Sequence, residues 1–118
     1  MVALHHLALR THHVDRLLAF YTTWLALPIV RDERPRSVWL RVEPAAVLMI
    51  ERADARDPAI PHGTRELLAF AIDASERPAL RARLVEASLL EGETEHTLYF
   101  RDPDGRRLGA SSYPLHLP

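Results

Sequence analysis

The chain spells one order of elements twice. An apolar opening run, Val2-Ala-Leu-His-His-Leu-Ala-Leu-Arg10, leads at once into an amphipathic helix, and about 61 residues later the succession returns as Glu66-Leu-Leu-Ala-Phe-Ala-Ile-Asp73 and Ser75 to Ala87. In the first helix Val14, Leu17, Leu18, Tyr21, Trp24 and Leu25 share one face, Thr11 is a candidate cap, and Pro28 marks the stop. Three short segments follow, Pro28 to Asp32, Ser37 to Val42 and Ala46 to Glu51, parted by Arg34-Pro35-Arg36 and Glu43-Pro44, and they read as a β-meander. The second half repeats the order. A strand from Arg65 to Asp73 precedes a helix capped by Ser75, tolerant of Pro78 in its first turn and apolar at Leu80, Leu84 and Ala87. A weak strand near Leu90 to Glu93, a strong one from His96 to Arg101, the turn Asp102-Pro-Asp-Gly105 and a last strand from Arg106 to Tyr113 complete it. The reading is βαβββ twice, with 53–63 as the link.

With 118 residues there is room for one domain, units of about 1–52 and 64–118, and little more. A hydrophobic share of 47% places the chain among globular proteins. Its 15 basic and 16 acidic residues are interspersed, which argues against a nucleic-acid partner. No apolar run approaches the roughly 20 residues that span a bilayer, so no membrane partner is expected. The absence of cysteine removes disulfides, thiolate ligands and thiol nucleophiles, and the first residues lack the pattern of a signal peptide, so a cytoplasmic location is expected. Ser111 and Ser112 lie in a strand without a nucleophile elbow, and no glycine-rich phosphate loop is present.

The first unit's His-His-Leu-Ala-Leu with Leu-Leu-Ala-Phe-Tyr, and the second unit's Leu-Tyr-Phe-Arg-Asp-Pro-Asp-Gly-Arg-Arg-Leu, together resemble the vicinal oxygen chelate superfamily of glyoxalases, bleomycin-resistance proteins, fosfomycin-resistance enzymes and extradiol dioxygenases. The resemblance spans nearly the whole chain. It implies an α+β fold in which each βαβββ unit curls into a half-barrel, the two enclosing a cleft. It also implies metal ligands on the first and last strands of each unit, which here are His6, Met49, Leu67 and Gly109. Only His6 offers a suitable donor, since an open site needs about three nitrogen or oxygen ligands. Sliding the second half by one residue would offer Glu66 but turn that strand's apolar set outward. The expectation is therefore no metal and no cofactor, with His6 a structural or ligand-contacting residue.

Strand alternation separates an apolar set, Leu7, Leu9, Val38, Leu40, Leu48, Ile50, Leu68, Phe70, Ile72, Leu98, Phe100 and Leu108, suited to pack under the helices. The opposite parity carries Ala8, Val47, Glu51, Ala69, Ala71, Arg107, Ser111 and Tyr113, joined through the resemblance by Trp39, Arg41, Thr97, Tyr99 and Arg101. Small floor residues, flat aromatic walls and fixed charge suit a small-molecule pocket, while the alternative is that these side chains pack on one another or on a second subunit. The expected ligand-binding residues are His6, Trp39, Arg41, Met49, Leu67, Tyr99 and Arg101. His5 is expected on the helix side or at a partner subunit, His12 and His13 at a solvated helix entrance, and Asp102, Asp104 and Gly105 in turn chemistry alone. Three functions remain open. The first is a metal-free protein binding an aromatic or anionic organic ligand. A second is a glyoxalase- or dioxygenase-type enzyme with a displaced metal site built from His6 and His96 with Glu51 or Glu95, and the third is an oligomerisation or regulatory module with a filled cleft. A homodimer is expected because open half-barrels leave edges to cover.

Overall fold

The computed structural model describes residues 1–115, and the chain divides into two compact units, Met1–Ala59 and Ile60–Pro118. The first unit runs β1 (His6–Thr11), α1 (Val14–Trp24), β2 (Ile29–Glu33), β3 (Ser37–Val42) and β4 (Ala46–Arg52). Its strands form one sheet in the order β1-β4-β3-β2, with β1 parallel to β4 and the other pairs antiparallel. The second unit runs β5 (Leu67–Ala71), a 3-10 turn (Ala74–Glu76), α2 (Arg77–Glu86), β6 (Gly92–Glu93), β7 (Thr97–Arg101) and β8 (Arg107–Ser111). Its sheet has the matching order β5-β8-β7-β6. Each unit is therefore βαβββ, as the sequence repeat predicts.

Alternation decides which face is buried. Leu9, Val38, Leu40, Leu48 and Ile50 join Leu17, Leu18 and Tyr21 of α1 in the core of the first unit, where α1 packs on β3 and β4. In the second unit Leu98, Phe100 and Leu108 meet Leu80 and Leu84 of α2. Withdrawing a large apolar side chain of this kind from water stabilises by about 1.5–3 kcal/mol, so the helix-side parity of β3, β4, β7 and β8 is set by energies that no surface contact rivals.

Several boundaries differ from the sequence reading. β1 begins at His6 and not at Val2: the register pairs His6 with Val47 near the start of β4, and before it the carbonyl of His5 accepts the Val47 N–H at 3.2 Å. Trp24, on the helix face expected to be buried, is half-buried in the last turn of α1, with its ring 6.3 Å from that of Phe20. Thr11 does not cap α1 as expected. It is the buried end of β1, its Oγ1 accepts the His13 N–H at 3.1 Å, and His13 occupies the cap position with no side-chain cap bond. Ser75 likewise falls inside the 3-10 turn. Asp73 stands at the cap, its N–H donating to the Glu76 carboxylate at 2.9 Å, and Ala87, expected on the apolar face, is exposed just beyond the helix end. No helix among the described residues is long and apolar enough to cross a membrane.

Candidate functional site

In the first unit the sheet face away from α1 is built from alternate residues of four strands. Pairing sets His6 beside Val47, Ala8 and Trp39 on either side of Met49, and Arg10 beside Glu51. Trp39 is half-buried at the middle of β3, and the Arg31 guanidinium carbon lies 5.1 Å from its ring centroid. Parity counted along β2 does not find Arg31, because the register shifts between Ile29 and Arg31. The Trp39 indole Nε1 is buried and donates to no acceptor among the described residues, an arrangement that is rare because it leaves a desolvated donor unmatched. His6 is exposed at the start of β1, its Nδ1 2.8 Å from that of His5, one ring donating to the other. His5, expected on the helix side or at a partner subunit, precedes the strand, is exposed and not on the helix side, and meets His6 edge to face at 5.1 Å. Arg41 is exposed, and Met49 is half-buried.

Arg10 on this unit is shared between two carboxylates. Arg10 pairs with Glu51 and donates from Nε to Asp57 at 2.8 Å, fastening the segment after β4 to the sheet. The Arg10 hydrogen bond, with that of the Asp54 backbone N–H, holds the Asp57 carboxyl below the usual carboxylate range. Arg31 is similarly tied to Glu33 at 2.7 Å. An open groove of about 490 Å³ lies elsewhere, at the N-terminus of α1, between His12, His13, Arg34 and Arg52, where Arg34 is paired with Asp15 at 3.1 Å and with Asp32 at 2.7 Å.

The corresponding face of the second unit carries Leu67 and Ala69 of β5, Thr97, Tyr99 and Arg101 of β7, and Arg107, Gly109 and Ser111 of β8. Leu67 is 44% exposed. Thr97 Oγ1 donates to Ser111 Oγ at 2.8 Å. Arg101 is held on every side: Nε and Nη2 reach the two Glu91 oxygens at 2.5 and 3.1 Å, and Nη1 donates to the carbonyls of Thr64 at 2.9 Å and Gly105 at 3.0 Å. It clamps two loops to β7. Arg107, which strand parity placed on this face without giving it a role, stacks its guanidinium carbon 4.3 Å from the Tyr99 ring centroid. The signal for it was the diagonal between neighbouring strands, since Tyr99 pairs with Gly109 and Arg101 with Arg107.

The residues at the family's ligand places do not fit a metal. Met49 supplies only a thioether, Leu67 no donor, and Gly109 no side chain at all. The space expected above Gly109 is also closed. A Cβ there would meet Thr97 Cγ2 at 3.3 Å, Ala69 Cβ at 3.4 Å and Leu67 Cδ1 at 3.5 Å, so a carboxylate side chain could not be seated without displacing neighbours. Glu51 is engaged by Arg10, and Glu95, with its side chain 87% exposed, lies 3.8 Å from His96, whose ring otherwise meets Tyr113 edge to face. Among the described residues no three His, Asp or Glu side chains converge.

A family model described as Glyoxalase/Bleomycin resistance protein/Dioxygenase superfamily matches residues 3–109. Among solved structures, a fosfomycin resistance protein from Listeria monocytogenes superposes with a TM-score of 0.80 at 16% identity, covering 98% of this chain and 94% of that one. A possible glyoxalase from Bacillus cereus gives 0.78 at 16% identity over 94% and 99%, and a lactoylglutathione lyase from Agrobacterium tumefaciens gives 0.69 at 22% identity over 92% of each. These similarities show a shared fold. No curated protein sequence matches the chain.

Proposed function

The chain belongs to the Glyoxalase/Bleomycin resistance protein/Dioxygenase superfamily, and from that premise we propose that it binds an aromatic or anionic organic molecule on its open sheet faces without a metal. The observation that carries the reading is the contrast between faces. In each unit the helix side carries the buried apolar residues, whereas the opposite face holds a half-buried ring, Trp39 in the first and Tyr99 in the second, with an arginine over it and alanine, leucine or methionine alongside. Met49, Leu67 and Gly109 support a metal-free mode, because they stand where superfamily enzymes place ligands. In such a mode Trp39 stacks on a ligand at the first unit's face, where Met49 supplies apolar contact, His6 a hydrogen bond and Arg41 a charge, and Tyr99 and Leu67 play the stacking and apolar roles at the second unit's face.

The relatives whose names denote enzymes keep catalysis as the competing reading. A titration separates the two. Protein treated with chelator is screened by thermal shift against aromatic acids, and hits are followed through tryptophan fluorescence. Stacking and burial contribute about 1–3 kcal/mol per ring, so Trp39→Ala and Tyr99→Ala are each expected to weaken binding roughly ten- to a hundred-fold. Binding that requires an added divalent cation, or that neither substitution changes, would reject the proposal.

A further inference from the structure

We propose that Arg107 is an anchor for an oxyanion, a carboxylate or a phosphonate, on the second unit's open face; this rests on the ligand-binding reading and gives it a charge preference. The hairpin of β7 and β8 sets three arginines close together, and they are partnered differently. Arg106 donates to Asp102 and Asp104, each at 3.2 Å. Arg101 has Glu91 and two backbone carbonyls around its guanidinium. Arg107 lies over the Tyr99 ring at 4.3 Å, and no carboxylate pairs with it among the described residues.

Two physical consequences follow. Stacking fixes the plane of a guanidinium through its face and leaves the edge N–H groups, which match an oxyanion two at a time, available to a ligand. Arg101 and Arg107 are also direct cross-strand partners, a pairing of like charges that disfavours the sheet unless neutralised. Glu91 neutralises Arg101 alone. An anion beside Arg107 would complete the balance, with its hydrocarbon part lying over Leu67, the register partner of Arg107 on β5.

The test uses benzoate, phenylphosphonate and neutral benzamide as probes, titrated by calorimetry into wild type, Arg107→Gln and Arg107→Lys, with thermal melts to confirm folding. At least one of the two anions should bind ten-fold or more tighter than benzamide. Arg107→Gln should erase that preference, and Arg107→Lys should retain part of it. The ranking of benzoate against phenylphosphonate names the oxyanion. Benzamide bound as well as the anions, or a preference that survives in Arg107→Gln, would overturn the anchor and leave the ligand-binding reading standing. If no probe binds, both fall.

Discussion

Asp102 is the residue whose neighbourhood most sharply separates structure from function. It is 4% exposed, and its carboxylate accepts the N–H of Asp104 at 2.9 Å and of Arg106 at 3.1 Å together with an Arg106 side-chain donor at 3.2 Å. The sequence reading gave Asp102, Asp104 and Gly105 turn chemistry and no binding role, and Gly105, at φ +96°, takes the left-handed conformation that such a turn requires. Asp102→Ala leaves buried donors unmatched, and a loss of about 2–3 kcal/mol in denaturant unfolding is expected. Ligand affinity, measured under conditions where the variant is folded, should stay within a factor of two or so; a larger fall would place the turn in the binding site.

Among the elements, the end of α2 can be improved. Leu89 N–H bonds to Leu84 O at 2.8 Å and Ser88 N–H to Val85 O at 3.0 Å, the two bonds that close a helix when the residue between is left-handed. That residue is Ser88, at φ +58°. A serine there is strained where glycine is not, so Ser88→Gly should stabilise the chain by about 0.5–1 kcal/mol, read as a rise in melting temperature. The segment after β4 gives an element-scale pH dependence. Arg10 depresses the Asp57 carboxyl, as Arg36 and Arg31 depress Glu33 and Arg81 depresses Glu93. A carboxylate held low in the folded chain contributes stability above its ordinary value and loses it as pH falls through the depressed one. Thermal stability should therefore decline below about pH 4, and Asp57→Asn should be less stable at neutral pH with a shallower decline. An equally steep decline in Asp57→Asn would show that the Arg10 contact does not contribute.

At the scale of the molecule, the family's fold is present while the donor set that its ligand places need is not. Protein prepared without chelators is expected to carry well under one equivalent of zinc, nickel, iron or manganese by elemental analysis. Stoichiometric metal coordinated by His6 would overturn that expectation. The sheet edges and the exposed Ile29, Val30, Leu67 and Val85 favour a homodimer. A single monomer mass in light scattering at micromolar protein would count against it.

The sequence by itself determined the βαβββ repeat and the helix-side layer, and with the family resemblance it implied the mismatch at the ligand places. Period-two and period-3.6 burial is written residue by residue, and a missing donor is visible in the residue's identity alone. The tertiary structure decided what depends on partners distant in the chain. β1 starts at His6, beside Val47 near the start of β4, and Trp24 is half-buried because burial needs a neighbour that the helix period cannot specify. Arg101, read from its strand as a charge for a ligand, is surrounded by Glu91, Thr64 and Gly105, while Arg107 stacks on Tyr99. Arginine carries the same charge and reach in both places, so only the groups that folding sets around each guanidinium distinguish a clamp from a candidate ligand contact.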